Sequence, residues 1–158
     1  MPCERCSATK PNGSRCKNRT CKMYPYCWIH LKSINKLQVK DSTIPNAGKG
    51  LFYVGKDTFP SKKLITHYSA KQVSSQPNKN SNYDLQISRN KFLDSSDPSN
   101  YVGRYINDKR NTNRQANVRF TSGRRIYDKM NRKVIPVISK SAIHPNTELL
   151  INYGRSYW

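Results

Sequence analysis

From residue 37 onward the chain is written in short apolar runs and alternations separated by polar, turn-rich stretches. "LQVKDSTIP" alternates at Leu37 and Val39, "NAGKG" reads as a turn, and "GLFYVG" and "KKLITHYS" are rich in β-branched and aromatic residues. "KQVSSQPNKNSN" is polar and broken by Pro77, so it predicts a loop, with or without a brief helix before it. "YDLQIS" alternates again, and "NKFLDSS", "RRIYDK", "KVIPVIS" and "ELLINYG" follow. Pro136 lacks an N–H to give to a sheet, which predicts an edge position or a strand end for it. No stretch carries the 3.6-residue repeat of an amphipathic helix, and Leu31 to Lys40 reads as a linker that turns into a strand. The pattern predicts a mostly β domain of many short strands without an internal repeat.

One segment resists this reading. "GRYINDKRNTNRQANVRF", residues 103–120, holds Asn107, Asn111, Asn113 and Asn117 among Arg and Lys. Asn is poor in helices and depleted in strands. Composition alone makes this a solvated basic loop, yet Tyr105, Ile106, Val118 and Phe120 bracket it like buried anchors.

Composition changes the picture through charge. The 158 residues carry a formal net charge of +20 with a pI near 10.1, which predicts an acidic partner such as nucleic acid or nucleoprotein. Ten tyrosines argue against full disorder. The N-terminal "MPCERCSATK" has no apolar core of a secretory signal, and no apolar run approaches the roughly 20 residues of a membrane span. The expectation is a soluble intracellular protein without a membrane partner, nuclear or else cytoplasmic.

All five cysteines, Cys3, Cys6, Cys16, Cys21 and Cys27, lie in the first 27 residues, and His30 follows. An odd count without a signal peptide argues against a disulfide framework. A closing Cys-x2-His with upstream cysteines suits zinc, which takes four thiolate or imidazole ligands in a tetrahedron. Spacing admits two quartets: Cys3, Cys6, Cys27 and His30, or Cys6, Cys16, Cys27 and His30. The stretch "CSATKPNGSRCKNR…YCWIH" resembles a small Cys3His module common in viral and phage proteins, which favours the second. Residues 1–32 would form this module, folded by its metal because so short a segment cannot build its own core. Nine basic residues stand against Glu4 alone in residues 1–40, with Tyr24, Tyr26 and Trp28 among them. That mixture suits phosphate contacts plus base stacking; packing around the metal is the plainer use of Tyr26 and Trp28.

Three further motifs, in order, resemble the SET domain of protein lysine methyltransferases. "STIPNAGKGLFYVGKDTFPSKKLITHYSA" resembles its opening, "DPSNYVGRYINDKRNTNRQANVRF" its Arg-Phe-Ile-Asn-His signature, and "ISKSAIHPNTELLINYGRSYW" its closing Glu-Leu-x-x-x-Tyr-Gly. The resemblance covers residues 37–158. It implies a mostly β SET fold of small curved sheets with a C-terminal pseudoknot, preceded by the zinc module. The C-terminal strand would pass beneath the Asn-rich loop, whose amides could satisfy backbone groups buried at the crossing.

The same resemblance implies S-adenosylmethionine as cofactor and a lysine on a histone or other basic tail as acceptor. Tyr153 and Tyr68 match tyrosines of the methyl-transfer channel. Lys49 and Gly50 would hold the amino-acid end of the cofactor, largely through backbone. Tyr83 would border the cofactor, Arg104 stands where a pocket arginine is common, Asn107 and Asp108 match a pair whose backbone reads adenine, and Trp158 would cap the adenine. Ile151, two places before Tyr153, leaves room for a second or third methyl group. His67 and His144 carry no assigned role.

Two departures stand out. Asp108 replaces the usual His, and "NTNRQAN" is longer than the usual spacer and lacks its Pro. No cysteine follows the domain, which is closer to a compact stand-alone enzyme of viral type than to a large chromatin regulator. Trp158, the N-terminal module or a second subunit would complete the peptide groove. A SET fold without activity, serving as a nucleic-acid or chromatin binder, is the alternative.

Overall fold

The computed structural model describes residues 4–20, 26–74, 84–88, 90–94, 102–121, 126–127 and 133–154. The first elements are β1 (Glu4–Arg5), β2 (Arg19–Thr20) and a helix, α1 (Trp28–Ile34). Then come β3 (Leu37–Asp41), β4 (Lys49–Tyr53), β5 (Leu64–Val73), β6 (Asp84–Ser88) and β7 (Lys91–Asp94). A 3-10 turn at Val102–Tyr105 leads to β8 (Asn107–Asp108) and β9 (Val118–Phe120). The chain continues through β10 (Ile126–Tyr127), β11 (Lys133–Ser139), β12 (Thr147–Glu148) and β13 (Leu150–Ile151). The protein is therefore mostly β, built from small sheets.

Strand β11 pairs antiparallel with β5, and β7 and β6 extend that sheet beyond β5. A second sheet runs β12–β4–β3, and β13 pairs in parallel with β8. The "NAGKG" turn closes the β3–β4 hairpin, with Asn46 and Gly48 both at positive φ. Leu51, Ile65, Leu93, Val118, Val137 and Leu149 are fully enclosed where the sheets meet.

Three expectations change. Residues 31–34 continue a helix rather than a linker. With only seven residues, α1 shows no repeat to read; it is set by its ends. Leu31 N–H bonds the Cys27 carbonyl at 2.9 Å, and the Asn35 amide donates to the carbonyls of Leu64 (3.2 Å) and Ile65 (2.7 Å). The "KQV" of the expected loop belongs to β5, where Lys71–Val73 pair with β7. Finally, Pro136 is interior to its sheet, opposite His67. Its carbonyl accepts from Thr121 N–H at 2.9 Å, away from β5. Within a strand residue N and O face the same way, so the missing N–H faces the gap between β9, which pairs residues 137–139, and β10, which pairs residues 133–134.

Candidate active site and metal centre

The Asn-rich loop is held to the C-terminal segment at both ends. At one end Leu150 and Ile151 align with Asn107 and Asp108, and Lys109 N–H donates to the Ile151 carbonyl at 2.8 Å. At the other, Asn117 works as a clamp. Its backbone N–H donates to Leu150 O at 3.0 Å, its amide Nδ2 to Glu148 O at 2.8 Å, and its Oδ1 accepts from Leu150 N–H at 2.9 Å. The opposite side of this segment lies on β4 through Thr147 and Glu148 and through a 2.7 Å bond from Leu149 N–H to Leu51 O. An amide that donates and accepts at once is what such a crossing demands of a side chain, since an orphaned backbone group there costs about 1–3 kcal/mol. Ile106 and Val118 are the buried anchors, with Tyr105 packed against them.

Beside the crossing lies an acidic centre that sequence reasoning missed. The Glu148 side chain is 2% exposed. Ser42 Oγ donates to Oε1 at 2.6 Å, Thr43 N–H to Oε2 at 2.9 Å, and the Thr43 hydroxyl also to Oε2. Asn107 Nδ2 donates to Oε1 at 3.1 Å and to the Lys49 carbonyl at 3.0 Å, and Arg114 stands 3.6 Å from Oε2. Burial pushes the Glu148 carboxyl up, but the Ser42, Thr43 and Asn107 donors outweigh it and hold it below the usual range. This also explains Gly50: a Cβ there would run into Glu148 Oε1. The signal was present in the sequence as a lone carboxylate in an apolar run, "TELLI".

The two candidate channel tyrosines come together through a third ring. Tyr68 is buried and meets Phe120 edge-on with centroids 5.6 Å apart, and Phe120 lies 6.0 Å from the Tyr153 ring. The Tyr153 hydroxyl donates to the Ile106 carbonyl at 2.8 Å, and Asp108 Oδ2 accepts from Tyr153 N–H at 2.6 Å. Gly103 lets the 3-10 turn lie directly on β5, since a Cβ there would strike the His67 carbonyl beside Tyr68. Ile106, Asn107 and Asp108 thus link the tyrosine side of the crossing to the Lys49–Gly50 turn.

Other described candidates lie elsewhere around the crossing. The Lys49 ammonium pairs with Asp41 at 2.6 Å on the surface, so its carbonyl, and not its charge, faces Asn107. The Arg104 guanidinium lies 5.0 Å from the Tyr105 ring centre. Ile151 is enclosed in the core. Tyr83 and Trp158 lie outside the described residues, as do Cys3 and Cys21.

At the other end of the chain, Cys6, Cys16, Cys27 and His30 bring their ligand atoms within 4.8 Å of one another. Cys27 Sγ is 3.3 Å and Cys6 Sγ 3.7 Å from His30 Nδ1. A zinc tetrahedron with these ligand types has edges of about 3.5–3.8 Å, so the donors fit. The local sequence builds this centre. Gly13, at positive φ, turns the chain between Thr9 and Arg15, which bridge, and so returns Cys16 toward Cys6. Arg5 and Arg15 staple the turn reciprocally: Arg5 donates to the carbonyls of Cys16 and Arg15, and Arg15 to those of Cys6 and Arg5. Helix α1 sets His30 three residues after Cys27, on one face. Burial pushes the Cys27 thiol up, but hydrogen bonds from the His30 backbone and the Asn18 side chain, with smaller ones from His30 and Cys6, bring it down to about 7. Cys27 N–H also donates to Cys6 Sγ at 3.2 Å, a bond suited to a thiolate.

No protein-family model and no curated protein matches the sequence. Among solved structures, the chain is similar to the crystal structure of a Plasmodium falciparum protein proposed to be a histone methyltransferase. The TM-score is 0.52 at 18% identity, over 77% of this chain and 96% of that one. The shared architecture is the SET fold that the sequence motifs led to. No described helix is long and apolar enough to cross a membrane.

Proposed function

We propose that the chain is an S-adenosylmethionine-dependent protein lysine N-methyltransferase acting on a histone or other basic tail. One observation carries the reading: Tyr68, Phe120 and Tyr153 cluster beside the crossing whose other side ties Asn107 to the Lys49–Gly50 turn. S-adenosylmethionine, when bound, supplies a methyl group on a positively charged sulfonium. The residues present suit such a cation. The rings and the Ile106 carbonyl form an uncharged, electron-rich wall, and the Lys49 ammonium is held aside by Asp41. Asn107, fixed by Glu148 and the Lys49 carbonyl, keeps the two segments in register for the cofactor. Tyr68 and Tyr153 would align the acceptor amine for in-line attack and exclude water, and the amine would reach the site neutral, its proton lost to solvent. No acid–base pair is required.

Zinc would be held by Cys6, Cys16, Cys27 and His30 and would supply the folding energy of the N-terminal segment. The basic surface supports nucleosomal DNA as a further partner and a nuclear location. Titration calorimetry with S-adenosylmethionine tests the reading. Micromolar binding supports it, and no binding at millimolar cofactor would leave the SET fold as a nucleic-acid-binding scaffold.

A further inference from the structure

We propose that Asp108 is a positioning residue for Tyr153, its carboxylate standing in for a backbone acceptor at the end of the crossing. The inference rests on the reading that Tyr153 lines the transfer site. The parallel ladder between β13 and β8 runs through Lys109 N–H to Ile151 O at 2.8 Å. Its next rung would take Tyr153 N–H to the Lys109 carbonyl. That carbonyl is already occupied, because the chain turns there: Thr112 N–H reaches it at 3.1 Å and Thr112 Oγ1 at 2.6 Å. Asp108 supplies the missing acceptor. Its Oδ2 takes Tyr153 N–H at 2.6 Å, and its Oδ1 takes Arg110 N–H at 2.6 Å, which fixes the start of the same turn.

The Tyr153 backbone is thereby tied to one strand end while its hydroxyl is tied to Ile106 O, two residues earlier on that segment. A neutral imidazole at position 108 could not accept at both N–H groups with this geometry, whereas a carboxylate accepts on each oxygen. The replacement of the family's His by Asp is, on this account, a substitution that buttresses the tyrosine. Beyond Tyr153 the chain turns again at Gly154, whose φ is positive.

The test compares Asp108→Ala, Asp108→Asn, Tyr153→Phe and the Asp108→Ala/Tyr153→Phe double variant in the full zinc-loaded chain, with core histones and methyl-labelled S-adenosylmethionine. Asp108→Ala should lower kcat about 10–100-fold while cofactor affinity by calorimetry stays within about threefold. It should also speed amide exchange at Tyr153 at least about tenfold, with the Leu93 amide unchanged. Asp108→Asn, which keeps one carbonyl oxygen, should fall between. In the Tyr153→Phe background Asp108→Ala should add much less than its full effect, because both act through one group. Parental kcat with an unchanged Tyr153 amide, fully multiplicative losses, or a loss confined to cofactor affinity would each overturn the proposal; the last would make Asp108 a cofactor contact. If the parent chain transfers no methyl group at all, the methyltransferase reading fails on that result, and the Tyr153 amide alone decides whether Asp108 holds the backbone.

Discussion

Cys6, Ala8, Cys16 and Cys27 form a buried cluster at the N-terminal end of the chain, with Tyr26 at its side and His30 completing a set of metal donors. At the other end, Leu149, Leu150 and Ile151 are buried in a crossing whose polar groups are paired by Asn107, Asn117 and Glu148. Both regions fix a small centre, the first with little apolar surface around it and the second within the main apolar core. The first relies on donors that converge on a point, so its order should depend on what occupies that point. The second pairs its named backbone groups with side chains and backbone of the protein itself, so its order should need no ligand. The lesson is that preorganisation in this chain has two sources, and they should fail under different treatments.

The largest expected effect is on the cysteine cluster. Metal analysis should find one zinc per chain, and a strong chelator should remove folding energy on the order of 10 kcal/mol from this segment. Amide protection at Cys6 and Cys16 should vanish while that at Ile65 and Val118 persists. Cys16→Ser should reproduce the loss, and Cys3→Ser should not. Joint melting of both regions on chelation would erase the distinction.

The crossing should respond instead to its amides and carboxylate. Asn117→Ala removes a donor and an acceptor and should lower stability by about 2–4 kcal/mol in urea unfolding, with zinc content unchanged. A loss below about 0.5 kcal/mol would mean that apolar packing alone holds the threaded segment.

Acid should sharpen the contrast further. Desolvation lowers the His67 pKa from 6.5 to about 4. Below the unfolded value the unfolded chain takes a proton that the folded chain refuses, so stability falls as pH drops from 6.5 toward 4. Glu148, held below the ordinary carboxylate range, contributes stability above its unfolded pKa that is lost as pH falls through its lower folded value. His67→Leu should flatten the upper part of this decline. A melting temperature constant from pH 7 to pH 4 would refute it. The smallest effect concerns product: with Ile151 the channel should allow di- or trimethylation, and Ile151→Tyr should shift the mass of a methylated peptide toward one added group.

How much of this was legible differs between the two regions. The Cys-x2-His pair and the motif order were readable because ligands and fold signatures sit at short, fixed spacings, Cys27 to His30, Gly48 to Gly50, Glu148 to Tyr153, whereas spacing admitted two quartets and the resemblance to a Cys3His module favoured the second. The amide role at the crossing was legible in kind, and Asn117 performs it. The role of Glu148 was not, since "TELLI" marks a carboxylate in an apolar run but not its donors, Ser42, Thr43 and Asn107, which lie far away in sequence. Phe120 was read as buried but not as the ring between the two tyrosines. Helix α1 escaped because seven residues show no periodicity, and Pro136 because its tolerance depends on a gap between two other strands.

The most direct test of the central claim is methyl transfer from labelled S-adenosylmethionine to lysines of core histones by the parent chain and by Tyr153→Phe, read by mass spectrometry. The substitution removes one hydroxyl, and with it the bond to Ile106 O, at nearly constant volume. The parent should methylate lysine, and Tyr153→Phe should retain its fold and cofactor affinity while losing about 100-fold in kcat. Transfer by Tyr153→Phe at the parental rate would contradict the account.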